Sequence, residues 1–215
     1  MKSKMMCVAA VAACAGGAAQ GAIVSSGGAV DVIAAPADAR LNVLTDSARI
    51  RAWDEQQDVE LTSAVAYDAS APGIYNMLTD LGNFTLAAGQ RVSSHYIHFD
   101  SPGSTAASAE GTVTFAGVIL AVICRGDNSG DLLGKLDSSD YLGAPTLYSD
   151  NVEARGMELA TNGDRFVISP DGKSIGVKFG ITTPGDYVRV LTVVPAPGAA
   201  CLAGLSILGC VRRRR

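Results

Sequence analysis

The sequence predicts an all-β fold, a β-sandwich of jelly-roll character with a short apolar helix at each end. Three observations carry that prediction. From Ile23 to Val193 the dominant apolar period is two, the spacing that sends alternate side chains to opposite faces of a strand. The chain contains 24 glycines and 8 prolines, enough turn formers to separate many short strands. The body shows no long helical stripe and no internal repeat of fixed period. With 215 residues, 48% of them hydrophobic, a sizeable packed core is within reach.

Taken in order, Ile50 to Trp53 is followed by the polar run Asp54-Glu55-Gln56-Gln57 and then by Val59, Leu61, Ser63, Val65 and Tyr67, an alternation that predicts a hairpin. Val92 to Asp100 is a further strand. Ser101 to Ala109, opening Ser-Pro-Gly-Ser, reads as one long loop. Thr112 to Phe115 and Val118 to Cys124 read as a pair joined around Gly117. The second is apolar on both faces and is therefore expected to be central in its sheet. A short helix near Ser138 to Leu142, N-capped by Asp137, is expected next. Arg165 to Ser169 and Ser174 to Thr182 flank Pro170-Asp171-Gly172-Lys173, where proline presets the turn and glycine accepts positive φ. Asp186 to Val193 supplies the last strand.

The formal net charge of −4 conceals an asymmetry. Of the 17 basic residues, Lys2, Lys4 and Arg212 to Arg215 sit in end segments free of Asp and Glu, so 11 remain in the body against 21 acidic residues, a balance of −10. Such a surface repels phosphate backbones, and nucleic acid is excluded as a partner. Cys7, Cys14, Cys201 and Cys210 also lie in the end segments. Cys124 alone belongs to the body, so an exported domain must hold together through its core, or through metal, without an internal disulfide.

Residues 1–21 predict a secretory signal peptide: two lysines, an apolar run from Met5 to Ala19, and small residues in Ala18-Ala19-Gln20-Gly21-Ala22 for cleavage. Val11-Ala12-Ala13-Cys14 also offers a lipoprotein processing box as an alternative. Residues 22–193 form the expected ectodomain and residues 194–215 a tail. In that tail Val194, Pro195, Ala196 and Pro197 precede the uncharged stretch Gly198 to Val211, which is followed by Arg212, Arg213, Arg214 and Arg215. As a helix the stretch reaches about 21 Å, short of the roughly 30 Å hydrocarbon core. Arginines placed after an apolar run stop translocation and stay on the cytoplasmic side, leaving the body outside.

This tripartite tail resembles the PEP-CTERM sorting signal of biofilm-forming bacteria. Val194, Pro195 and Pro197 match its box, and Ala196 stands where the family most often has Glu. The resemblance implies processing by an exosortase, a membrane-embedded transpeptidase-like enzyme, with membrane contact through residues 198–211 and an envelope or extracellular destination. A plain tail anchor without processing is the alternative.

Chemistry-bearing residues are sparse in the body. The two histidines lie in Ser94-His95-Tyr96-Ile97-His98-Phe99-Asp100, and their odd spacing puts them on opposite faces of one strand. His95 should share a face with Ile97 and Phe99. His98 and Asp100 share the other with Tyr96, where they read as a hydrogen-bonded structural pair; the alternative is a pair that orients the imidazole or binds metal, as in an exported hydrolase. Asp127, Ser129 and Asp131 alternate in a polar loop after the most apolar strand, a weak candidate for calcium beside the simpler reading of a solvated turn. Leu132 and Ser138 stand where an EF-hand needs Gly and Glu. Trp53 is expected in the core, its alternative being a sugar-stacking platform of a carbohydrate-binding module for exopolysaccharide. Asp54 and Glu55, as neighbours, face opposite ways and do not make a glycosidase pair. Cys124 is expected to be a buried, inert thiol. The expectation for the whole is a non-enzymatic exported surface or matrix protein without a required cofactor.

Overall fold

The computed structural model describes residues 22–103, 105–125, 135–149, 155–159, 163–181 and 185–194. The predicted terminal helices, residues 1–21 and 198–211, lie outside them. No helix among the described residues is long and apolar enough to cross a membrane. The strands are β1 (Ile23–Gly28), β2 (Val30–Val32), β3 (Ile50–Asp54), β4 (Val59–Glu60), β5 (Val65–Tyr67), β6 (Gly73–Tyr75), β7 (Phe84–Leu86), β8 (Arg91–Phe99), β9 (Ala107–Phe115), β10 (Ile119–Ile123), β11 (Arg165–Ile168), β12 (Ser174–Ile181) and β13 (Asp186–Val193). A single helical turn, α1 (Lys135–Ser138), and 3-10 turns at Leu78–Asp80 and Asp140–Gly143 complete the described elements.

The fold is the all-β sandwich that the sequence predicts. A five-stranded sheet ordered β1-β9-β12-β11-β6 faces a six-stranded sheet ordered β10-β13-β8-β3-β2, with β4 also on β8, and β5 pairs with β7 separately. Consecutive strands lie in different main sheets at β1 to β2, β8 to β9, β9 to β10, β10 to β11 and β12 to β13. Alternation sorts the side chains. Val113, Phe115, Phe166, Val177 and Phe179 from the first sheet pack against Ile50, Ala52, Ile97, Phe99, Val188 and Val190 from the second. Each large apolar side chain buried this completely contributes about 1.5–3 kcal/mol.

The six-stranded sheet is buried on its other face as well. There Trp53, Tyr96, Ala121, Ile123, Tyr187 and Leu191 meet Ala39, Leu61, Val65, Leu86, Leu136, Leu142 and Tyr148. Loops, α1, the 140–143 turn and the β5–β7 ribbon thus add a third layer. This layer explains where the predicted pairings fail. β10 is apolar on both faces because it lies between two cores, yet it is the edge strand of its sheet. The Asp68–Ala69 segment covers part of that edge, Val122 N donating to Ala69 O at 2.7 Å and Asp68 N to Val122 O at 2.9 Å.

The expected β9–β10 hairpin does not form: the chain crosses from one sheet to the other at Gly117, whose missing Cβ lets it lie against the Val193 carbonyl. The expected Ile50–Tyr67 hairpin does not form either. β3 and β4 both pair with β8, one after the other along its length, while β5 pairs with β7. β9 begins at Ala107, inside the expected loop, because it pairs through to Ile181 of β12. Asp137 lies within α1, and Ser139 occupies the N-cap of the 140–143 turn. By contrast β11 and β12 form the expected antiparallel pair, with Gly172 at φ +67° in the turn. β13 has the expected bounds.

Candidate functional site

β8 presents His95, Ile97 and Phe99 to the inter-sheet core and Tyr96 and His98 to the other face, as the odd spacing requires. Both faces are covered, so both imidazoles are fully buried. His95 donates from Nδ1 to Asp54 Oδ1 at 2.7 Å, and its Nε2 lies 3.1 Å from the Thr192 hydroxyl. His98 donates from Nε2 to the Leu44 carbonyl at 2.8 Å and rests between the rings of Trp53 and Tyr187. Asp100 accepts instead from the Asn42 amide at 2.7 Å. His98 and Asp100 are therefore each tied to backbone, and neither orients the other.

Burial pushes His98 down to about 4. On acidification the unfolded chain takes up this proton first, at its ordinary pKa near 6.5. The stability lent by a neutral His98 is thus intact above about pH 6.5 and drains toward pH 4, by at most about 1.4 kcal/mol per pH unit. Urea midpoints of wild type and His98→Gln between pH 4 and 7 check this. Wild type should lose more stability on acidification; parallel profiles would contradict the buried neutral imidazole.

Trp53 is fully buried, its ring centroid 5.1 Å from that of Tyr96 in a tilted contact, which places it in the core and removes it as a sugar platform. Its neighbour Glu55 leads to the largest polar cluster of the described structure. Arg189, in the middle of β13, donates from Nε to Glu55 Oε2 at 2.8 Å and from Nη2 to Oε1 at 2.9 Å. The same guanidinium reaches Ser139 Oγ, the Leu136 carbonyl and Asp140 Oδ1, so all five of its N–H groups have acceptors. Glu55 also accepts from the Ser94 and Tyr148 hydroxyls. Burial raises its carboxyl, but Arg189 and the two hydroxyls outweigh that and hold it below the ordinary range. Arg155 extends the cluster through Asp137, Asp140 and the Tyr96 hydroxyl. With all five Arg189 donors engaged, the arrangement fixes the third layer to the sheet.

A second buried cluster joins β10 to the same layer. Asp68 accepts from Lys135 Nζ at 2.6 Å, Arg125 Nε at 2.7 Å and the Cys124 amide at 2.8 Å. Lys135 is 1% exposed, so this carboxylate is what compensates its charge. Beside it, burial and the Asp68 charge push the Cys124 thiol well up. Cys124 is the buried inert thiol expected.

One group of carboxylates is different. Glu158, Asp164 and Asp186 each bring an oxygen within 4.8 Å of the other two. Asp164, just before β11, accepts from Gly180 N at 2.7 Å and Glu158 N at 3.1 Å. Asp186, the first residue of β13, is fully buried, and neither of its oxygens meets a hydrogen-bond donor. Burial and its acidic neighbours push Asp186 well up, and burial takes Asp164 to about 6. The three are scattered in sequence and carry no motif; the pairing of β11 with β12 and the packing of the start of β13, in the opposite sheet, collect them.

Asp127, Ser129 and Asp131 lie outside the described residues, as do Pro195, Ala196, Pro197 and Arg212 to Arg215; Val194 is described and follows β13. Fold and clusters together define a class: a β-sandwich with a third covering layer, cross-linked by buried ion pairs. No family model, curated protein or solved structure matches the chain.

Proposed function

We propose that the chain is an exported, non-enzymatic component of the cell surface or extracellular matrix, an acidic β-sandwich delivered by a PEP-CTERM-like tail. The observation that carries this reading is the tail itself: Val194, Pro195 and Pro197, then an apolar stretch too short to span comfortably, then Arg212 to Arg215. The signal-peptide pattern of residues 1–21 agrees with it in direction. The body adds support, because the side chains of His95, His98 and Glu55 are buried and committed to structural contacts, and Cys124 is buried. Polysaccharide contact remains compatible with this role, through surface groups other than Trp53.

Mass spectrometry of the mature C-terminus tests the reading. The expected result is a chain that ends upstream of the arginine cluster after passage through an exosortase-bearing membrane. An intact Arg215 on surface-exposed protein would replace sorting with a simple anchor.

A further inference from the structure

The geometry points to a calcium site formed by Glu158, Asp164 and Asp186, which clips the two sheets together at one end of the sandwich. Asp164 is fastened to the five-stranded sheet through its bond to Gly180 N of β12, and Asp186 begins β13 in the six-stranded sheet. An ion held by both would tie the sheets together; among the described residues the one cysteine, Cys124, is free and buried and supplies no such link.

Three features favour a cation over a merely acidic cluster. First, oxygens on a calcium ion at about 2.4 Å are at most about 4.8 Å apart, so the mutual spacing of 4.8 Å or less fits one coordination sphere. Second, Asp186 is fully buried with both oxygens unpartnered, and the neighbouring polar group is the Glu158 carboxylate, which offers no proton unless one of the two is neutral. Third, among the described residues none of the three carboxylates forms a salt bridge with a lysine or arginine. Lys178 acts on Asp164 only at longer range. A buried carboxylate that lacks donors and counter-charge needs either a proton or a metal. Oxygen-only ligands select a hard ion, and backbone carbonyls and water would complete the six to eight positions calcium takes. Glu158 is exposed and provides the route of entry.

The site stands on the folded body alone, so its failure would leave the proposed sorting of the tail untouched. The test is calorimetric titration of calcium chloride into chelator-stripped full-length protein, paired with thermal melts in calcium and in EDTA. Expected is saturable binding no weaker than about 10⁻³ M and a melting temperature that rises with calcium concentration. Glu158→Gln and Asp186→Asn should each weaken binding about tenfold or more through loss of ligand charge, while Asp127→Asn with Asp131→Asn should leave it unchanged. Asp186→Asn also reproduces the shape of the protonated side chain, and Glu158→Gln changes an exposed position, so at least the latter must fold. No heat and no melting shift up to about 10 mM calcium would overturn the site in favour of a shared proton. Unchanged affinity in Glu158→Gln, or loss confined to the Asp127/Asp131 variant, would overturn it equally.

Discussion

Glu55→Ala is expected to destabilise the fold by about 3–5 kcal/mol, because it leaves the Arg189 guanidinium buried without its counter-charge. Arg189 and Glu55 are both completely buried, and the carboxylate also satisfies the Ser94 and Tyr148 hydroxyls. A loss of this size is a large share of the about 5–15 kcal/mol that holds a typical domain together. Denaturant midpoints for wild type, Glu55→Ala and the pair Glu55→Leu with Arg189→Met separate the two contributions. The double variant removes both charges and should recover part of the loss, but Ser139, Asp140 and Tyr148 are then left short of partners. A single-variant loss within about 1 kcal/mol, the range of an ordinary substitution, would mean the guanidinium finds water instead.

Asp68→Ala should cost about the same 3–5 kcal/mol, for the same reason at a different place: Lys135 would be left as an uncompensated buried ammonium. Here a local readout accompanies the global one. Asp68 accepts the amides of Cys124 and Arg125, so its removal should loosen the end of β10 and speed modification of Cys124 by a thiol reagent in native buffer. Unchanged Cys124 labelling together with an unchanged denaturant midpoint would show that the cluster is dispensable. Burial raises the Asp68 carboxyl, but Lys135, the Cys124 amide and Arg125 outweigh it and hold the group low, as Glu55 is held low by its partners. The stability both carboxylates lend is present above about pH 4, the unfolded range, and is lost as pH falls through their folded values.

What the sequence made legible was local. The Pro170-Asp171-Gly172-Lys173 turn and the alternation of Arg165 to Ser169 and Ser174 to Thr182 specify a hairpin on their own, and the hairpin is there. The odd spacing of His95 and His98 fixed their opposite faces for the same reason. Asp54 and Glu55 likewise part, one to His95 and the other to Arg189. Partner choice was not local. β9 and β10 are adjacent in sequence with a glycine between them, a pattern equally good for a hairpin and for a crossing between sheets. Only the packing of Gly117 against Val193 decides. β10 looked central because its apolarity reports burial on two faces, and burial came from a third layer built of short, weakly patterned pieces.

The buried clusters were legible only as anomalies. Arg189 stands inside Asp186 to Val193, where the other side chains from Tyr187 to Leu191 are apolar, and a charge placed there demands a buried partner. Its partner Glu55 is 134 residues away, beyond the reach of any local pattern. Glu158, Asp164 and Asp186 share no spacing that marks a site, and only the packing of one sheet's end against the other brings them within reach of one ion.

The position of β13 has a mechanical consequence. It is hydrogen-bonded along both edges, to β8 from Asp186 through Val193 and to β10 from Arg189 through Thr192, and Val194 continues directly from its end. Tension drawn through residues beyond Val194 would therefore load the ladders along their length, in shear, so that many bonds must yield together. A strand at the rim would have one ladder to share that load, where β13 has two. The chain leaves the sandwich from a strand held on both sides.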